Sequence, residues 1–337
     1  MTAPTANHPT PEPNHSAAPP APAPYTPPPA PLGAAGLASD ITAELSSRLH
    51  TVRLHGFRRP TAQPPALVAV AHGSRHPGAA PTVRALLNRI RALRPGLPVH
   101  LGHLELDRPL LTDTLAKLRD AIGPADATGS TGPAAPAGSI GPAGEVVLVP
   151  LLFGHGHHVT RDLPAALAAA PHLTGRIAAP LGPHALLVEA LHARLLEAGF
   201  PTGPHRGGRP AVVLAAAGSR AARSARDTAR IARLLSTRLG GVPVLPAYAS
   251  AASPTVPEAV RTLVDRGHHP HDIAVAGCFA APGHFADRCA ALAPGPAAAP
   301  LGDHPALARL VLHRYDQALS ARTGSGTEGI RAATVAV

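Results

Sequence analysis

Short apolar segments alternate with amphipathic segments along most of the chain. Apolar runs predict strands at residues 66–71, 99–106 and 145–152, with a further short strand near Ile177. Leu, Ile and Val at helical spacing predict helices at residues 83–93, 110–122 and 184–198. Strands that alternate with helices of this length are typical of βαβ units around a parallel sheet, whose strands are buried on both faces.

The alternation runs through the chain twice. The apolar run at residues 211–216 leads into Gly218-Ser219-Arg220, as the run at 66–71 leads into Gly73-Ser74-Arg75, 145 positions earlier. Later landmarks recur in the same order: Pro109 as Pro254, Gly156 as Gly283, and the Pro-Leu-Gly before His184 as the Pro-Leu-Gly before His304. The ordered matches predict an α/β fold of two tandem, similar domains with parallel sheets.

Proline and glycine mark the boundaries of the two copies. Twelve of the 42 prolines fall in the first 31 residues. Residues 1–60 are therefore predicted to be a disordered Pro/Ala-rich tail, with one short helix from about Asp40 to His50. The predicted organisation beyond this tail is a first copy at 61–200 with a low-complexity insert at 123–144, a second copy at 208–322, and a flexible tail at 323–337.

The net charge of +10 comes from 30 basic and 20 acidic residues, and Lys117 is the single lysine. Arginine favours planar, bidentate contacts with carboxylates and phosphates. A coding bias towards Ala, Arg, Pro and Gly would produce the same excess, so the charge permits an anionic partner without requiring one. Basic pairs such as Arg58-Arg59 lack interleaved aromatic residues, which argues against nucleic-acid binding.

Several classes of protein do not fit the chain. No apolar run approaches the ~20 residues that span a bilayer, and no secretory signal pattern opens the sequence, so we expect a cytoplasmic protein without membrane contact. Cys278 and Cys289 are too few for a disulfide framework or a cysteine zinc site. No P-loop is present and no G-x-G-x-x-G motif follows the first strand, so we expect neither ATP nor a dinucleotide cofactor.

The two copies differ at their most reactive positions. His72, Glu105 and His158 each follow a strand of the first copy, and Ala217, Ser250 and Phe285 replace them in the second copy. Open α/β sheets bind ligands beyond the carboxyl ends of their strands. Two imidazoles and a carboxylate in that region predict a divalent-metal site with open coordination positions.

Three other histidines compete for this site. His155 and His157 lie in the same Gly-His-Gly-His-His tract as His158. His103 is a further candidate because it shares a strand face with Glu105. A histidine at a strand end is also commonly a hydrogen-bonded structural residue, and the tract by itself could be solvated.

Motifs of both copies occur in a specific order. The first copy contains Val70-Ala71-His72-Gly73-Ser74-Arg75, then His103-Leu104-Glu105 followed by Pro109, then Val149-Pro150-Leu151-Leu152-Phe153 running into Gly156-His157-His158-Val159 and Asp162. The second copy contains Ala216-Ala217-Gly218-Ser219-Arg220 and Ala281-Pro282-Gly283-His284-Phe285-Ala286-Asp287-Arg288. Over roughly residues 66–315 the chain resembles the sirohydrochlorin chelatase family of the CbiX/SirB type.

The resemblance implies a class II chelatase in which two similar domains face each other across a cleft. Such an enzyme inserts Co²⁺ or Fe²⁺ into sirohydrochlorin, for cobalamin or sirohaem, and needs neither ATP nor an organic cofactor. The family's metal-binding and catalytic positions fall on His72, Glu105 and His158. A neutral histidine can hold the metal and then accept a proton as the metal transfers.

The same resemblance suggests how the substrate is bound. Sirohydrochlorin is a polycarboxylate, so Arg75, Arg108 and Arg161, beside the three motifs, are expected to bind it. The Gly73-Ser74 turn would bring backbone close to the ring. A monomer is expected, because an internal duplication can replace a homodimer. The alternative is a non-catalytic metal- or tetrapyrrole-binding protein, such as a metallochaperone that uses the histidine tract at 154–158.

Overall fold

The computed structural model describes residues 64–120, 144–201 and 208–321. The helix predicted near residues 40–50, the C-terminal tail and all but the last residue of the predicted insert lie outside the described residues. Within the described ranges, no helix is long and apolar enough to cross a bilayer.

The first copy forms a four-stranded parallel sheet in the order β2-β1-β3-β4. Its elements in chain order are β1 (Ala66–Ala71), α1 (Ala79–Leu93), β2 (Val99–His103), α2 (Leu111–Asp120), β3 (Glu145–Pro150), a π-helical turn (His158–Asp162), α3 (Leu163–Ala168), β4 (Thr174–Ile177) and α4 (Ala185–Glu197). Every residue of β1 is buried, as expected for a central strand covered on both faces.

The second copy forms a three-stranded parallel sheet in the order β6-β5-β7. Its elements are β5 (Ala211–Ala216), α5 (Ala222–Arg238), β6 (Val244–Tyr248), α6 (Val256–Asp265), a 3₁₀ turn (Pro270–Asp272), β7 (Ile273–Gly277), α7 (His284–Ala291) and α8 (Pro305–Ser320). The alternation of strands and helices, the parallel sheets and the duplication are thus confirmed.

Some element boundaries differ from the prediction. Helix α1 begins at Ala79, four residues before the apolar periodicity, because its first turn consists of small residues and Pro81. Proline is tolerated there, since the first N–H groups of a helix have no intrahelical partner. Strand β2 ends at His103 instead of Leu106, whose φ of 64° interrupts the extended chain.

The last helix of each copy packs on the other copy. Helix α4 contacts α5 and β7, and α8 contacts α1, α4 and β3. Leu191 of α4, Leu235 of α5 and Leu310 of α8 belong to a single buried cluster that also contains residues of β1 and β3. The copies therefore share one continuous core, which fixes the two sheets relative to each other.

Candidate metal site and cavity

The functional candidates lie at a cavity between the two copies. The cavity has a volume of about 760 Å³, within the usual range of ligand pockets. The strand ends and following turns of both copies line it, among them His72, Glu105, Phe153 and His158 of the first copy and Ala217, Ser250, Phe279 and Phe285 of the second. This is the position expected of a ligand site in parallel sheets.

A glycine turn holds His72 and Glu105 next to each other. Gly73 has a φ of +100°, and a Cβ at this position would lie 1.7 Å from the carbonyl oxygen of Glu105. The Glu105 N–H donates to the His72 carbonyl oxygen at 3.0 Å. The two backbones meet because residue 73 has no side chain, and His72 Nε2 consequently lies 3.3 Å from Glu105 Oε1.

The second copy repeats this turn without the reactive side chains. Gly218 has a φ of +95°, and a Cβ there would lie 1.8 Å from the carbonyl oxygen of Ser250. The Ser250 N–H donates to the Ala217 carbonyl oxygen at 3.0 Å. The equivalence of the two turns is therefore structural, and the differences between the copies are confined to side chains at these positions.

His158 reaches the same site from the third strand. It begins the π-helical turn after β3, and its ring centroid lies 4.8 Å from that of His72, edge to face. Its Nδ1 donates to Asp162 Oδ2 at 2.6 Å. A carboxylate that accepts the Nδ1 proton fixes the tautomer whose Nε2 is free for a metal. Asp162 belongs to the motif that contains His158, and only the structure shows that it orients the His158 ring.

The competing histidines have other partners. The His155 ring donates from Nδ1 to Asp227 Oδ2 of α5 at 2.7 Å. The side chain of His157 is 73% exposed, and His103 is buried with its Nδ1 3.2 Å from the carbonyl oxygen of Pro109. Of the three histidines in the tract, the structure places His158 beside His72.

Glu105 and His158 both lie beside His72, but the three side chains do not point their donor atoms at a common position. Among the side chains in the described ranges, no group of three His, Cys, Asp or Glu residues is already arranged to hold a metal ion. His72 contacts both Glu105 and His158, so side-chain rotation would be needed to bring their donor atoms to one ion.

The predicted substrate-binding residues divide into two sets. Gly73, Ser74 and Arg75 line the cavity. Arg108 does not; its Nη1 donates to Asp113 Oδ2 at 2.9 Å on the surface. Arg161 is exposed and is likewise outside the cavity lining. For Arg108 and Arg161, contact with the substrate stays a prediction.

Aromatic residues are concentrated at the cavity. The chain has only five Phe, and three of them, Phe153, Phe279 and Phe285, line it. Because aromatics are so scarce, the positions of the phenylalanines in the sequence are by themselves a signal for this cavity. Phe285, which takes the place of His158 in the second copy, is 37% exposed. Phe285 therefore adds a partly exposed apolar ring to the cavity lining.

A buried thiol also lines the cavity. Cys278, after β7, is among the lining residues, and burial raises the pKa of its thiol to about 12. The thiolate is the metal-binding form of cysteine. Cys278 is therefore not expected to compete with the imidazoles for a metal ion.

Solved structures share this fold. SirB from Bacillus subtilis with Fe³⁺ is 22% identical, has a TM-score of 0.57, and matches 77% of this chain and 97% of its own. CbiX from denitrifying bacteria, described as the terminal enzyme for biosynthesis of sirohaem, is 21% identical, has a TM-score of 0.51, and matches 75% of this chain and 99% of its own. Two parallel sheets around a common cleft thus define a chelatase-like α/β protein.

The family model of CbiX matches residues 66–123, 140–198 and 211–318. The chain belongs to this family, the sirohydrochlorin chelatase family that its motifs resemble. A curated relative, the sirohydrochlorin cobaltochelatase of Methanococcoides burtonii, is 26% identical over an alignment of 143 residues that covers 39% of this chain and 94% of the relative.

Proposed function

We propose that the protein inserts a divalent metal, Co²⁺ or Fe²⁺, into sirohydrochlorin. The observation that carries this proposal is the placement of His72 beside both Glu105 and His158 at one wall of the cavity. The second copy keeps the same turn but has lost all three groups. Membership in the CbiX family and the names of the relatives support the same reaction.

The metal is the substrate in this reaction, so weak coordination is an advantage. Two neutral imidazoles and one carboxylate suit Co²⁺ and Fe²⁺ alike and leave positions open for the macrocycle nitrogens. The Nδ1 atoms of His158 and His72 face acceptor oxygens of Asp162 and Gly73, at 2.6 and 3.3 Å. The metal would therefore be held through Nε2 on both rings.

Insertion replaces two pyrrole N–H protons by one divalent cation, so two protons must leave. As the metal passes to the ring, His158 Nε2 becomes free to accept one of the two protons and His72 Nε2 becomes free to accept the other. Glu105 Oε1, 3.3 Å from His72 Nε2, can accept that proton in turn and pass it to solvent, because its side chain is 53% exposed. The charge balance requires neither ATP nor a redox partner.

The cavity provides the surface for the macrocycle. Phe285 and Phe279 of the second copy line the same cavity as His72 and His158 and can offer an apolar surface to the ring. Arg75, beside the glycine turn, lines the cavity and has no carboxylate partner among the described residues, so it can pair with a carboxylate of the substrate. A cytoplasmic monomer remains our expectation for the whole protein.

The experiment is anaerobic, absorbance-monitored insertion of Co²⁺ and Fe²⁺ into sirohydrochlorin. We compare wild type with His72→Ala and His158→Ala, and use His157→Ala as the matched control from the same tract. The expected result is a rate above the spontaneous one for wild type and His157→Ala, and loss of that excess in the other two variants. The ratio of the two metal rates then assigns the preferred metal.

Two outcomes would contradict the proposal. A folded wild-type protein that gives only the spontaneous rate with both metals is not a chelatase for this substrate. Tight Co²⁺ binding that requires His157 but not His72 would instead indicate a metal carrier that uses the histidine tract.

A further inference from the structure

Asp227 of the second copy is hydrogen-bonded to the loop that carries His158. Asp227 Oδ2 accepts hydrogen bonds from both the ring Nδ1 and the backbone N–H of His155, at 2.7 and 3.1 Å. The side chains of His155 and Asp227 are only 19% and 13% exposed. A charge-assisted pair at these distances and this burial is stronger than a typical surface pair.

The residues on either side of His155 fit closely against the same helix end. A Cβ at Gly154 would lie 3.2 Å from Ser224 Oγ and 3.7 Å from Asp227 Oδ2. A Cβ at Gly156 would lie 3.7 Å from Ser219 Oγ, just before α5. The segment 154–156 therefore lies along the start of α5 with its middle residue anchored.

This anchored segment leads directly into the turn that presents His158. The carbonyl oxygen of Gly156 accepts hydrogen bonds from the N–H and Oγ1 of Thr160, at 3.2 and 3.1 Å. His158 lies inside this hydrogen-bonded turn, three residues after His155. A displacement of residues 154–156 would therefore be passed to the His158 ring.

The Asp227–His155 pair, which we call the clamp, has no counterpart at the equivalent positions of the duplication. At the equivalent positions of the other side, Pro282 replaces His155 and Thr82 replaces Asp227. Proline has no N–H to donate, and Thr82 Oγ1 donates to Gly78 within its own turn. The clamped loop is the one that carries a metal donor, and Asp227 is the single acidic residue of α5.

We propose that Asp227 is a positioning residue that holds His158 in place for the metal, acting through His155. The inference rests on the proposed function, because it takes His158 as a metal ligand. It assigns the second copy, which has lost its own donors, an active part in the metal site of the first.

The test measures Co²⁺ affinity by calorimetry and the visible absorption bands of bound Co²⁺, which report ligand geometry. The variants are Asp227→Ala, Asp227→Asn, His158→Ala and the double variant Asp227→Ala/His158→Ala. Asp265→Ala, an exposed aspartate of the same copy, is the matched control. Asp227→Asn retains an acceptor oxygen, so it keeps the proposal testable if Asp227→Ala does not fold.

We expect Asp227→Ala to weaken Co²⁺ binding about 10- to 100-fold and to change the absorption bands, as loss of an orienting group around a metal ligand does. Asp227→Asn should be intermediate, and Asp265→Ala should match wild type. Removing Asp227 from the His158→Ala protein should change the affinity no further, because both act through one ligand.

Two results would overturn the inference. One is unchanged affinity and spectrum in folded Asp227→Ala and Asp227→Asn. The other is an equal loss of affinity with and without His158, which would show that Asp227 acts on the fold and not through that ligand. If wild type and His158→Ala bind Co²⁺ equally, His158 is not a metal ligand. The proposed function then fails, whatever the Asp227 variants show.

Discussion

His184 and His304 form the same helix-capping hydrogen bond in the two copies. Each imidazole Nδ1 accepts a hydrogen bond at 3.1 Å from a backbone N–H two residues ahead, Leu186 for His184 and Ala306 for His304. Each therefore caps the helix, α4 or α8, that packs on the opposite copy. The recurring Pro-Leu-Gly and histidine of the sequence mark the two helices that hold the copies together.

These caps make stability depend on pH. Burial lowers the pKa of both imidazoles, and the charges of Arg314 at His184 and Arg194 at His304 lower it further. A lowered pKa in the folded state means that the unfolded chain, with a pKa of about 6.5, binds protons more readily. The stabilisation is complete above about pH 6.5 and is lost as the pH falls towards the folded-state pKa values.

Denaturation by urea between pH 5 and pH 8 tests this prediction. The His184→Asn/His304→Asn double variant should have a flatter stability profile, because asparagine caps a helix without titrating, and each lost cap costs about 1 kcal/mol. His172→Asn, an exposed histidine outside both caps, is the control. A wild-type stability that rises on acidification would contradict the prediction.

A matched pair of glycine substitutions should separate folding from metal binding. Gly73→Ala and Gly218→Ala meet the same obstruction, a carbonyl oxygen within 2 Å and a positive φ. Both should lower the free energy of unfolding, by at least about 1–3 kcal/mol. Only Gly73→Ala displaces Glu105 from His72, so only this variant should lose Co²⁺ affinity in calorimetry on folded protein. Equal losses of affinity in the two variants would count against the metal site.

Phe285 should contribute to binding of the macrocycle and not of the metal. Phe285→Ala is expected to raise the KM for sirohydrochlorin about 2- to 10-fold, the worth of one aromatic contact, while Co²⁺ affinity stays the same. Steady-state insertion kinetics measure the first and calorimetry the second. Leu292→Ala removes a similarly exposed side chain just after α7, outside the cavity, and should change neither value.

The two cysteines should be unreactive in the native protein. Burial raises the pKa of the Cys278 thiol to about 12 and raises that of Cys289 as well, so little thiolate is present at pH 8. A colorimetric disulfide reagent should label neither thiol in the folded protein and both after urea is added. Rapid labelling of the native protein would show that Cys278 is accessible as a thiolate at the cavity.

Asp162 provides a further test of the metal site. Its Oδ2 accepts the Nδ1 proton of His158 at 2.6 Å, so Asp162→Ala should weaken Co²⁺ binding about 10- to 100-fold. Asp162→Asn, which keeps an acceptor oxygen, should lose less. Calorimetry and the Co²⁺ absorption bands report both effects, and unchanged binding in Asp162→Ala would exclude His158 Nε2 as an oriented ligand.

The sequence by itself determined the strands, the parallel sheets and the duplication. Strands β1 and β5 have the predicted bounds. A wholly apolar run predicts a buried strand, and the Gly-Ser turn after it predicts where the strand ends, so residues close together in the sequence are sufficient for both predictions. The same reasoning placed His72 and Glu105 at strand ends, where topology alone brings them to one edge of a sheet.

The tertiary structure decided which groups meet. His155, His157 and His158 are nearly equivalent in sequence, and only their tertiary contacts distinguish them. His155 pairs with Asp227 of α5, whereas the π-helical turn places His158 beside His72. Local sequence patterns likewise do not predict that α4 and α8 each pack on the opposite copy. Contacts between distant segments depend on how the two sheets pack, and that packing, through one shared core, is what forms the site.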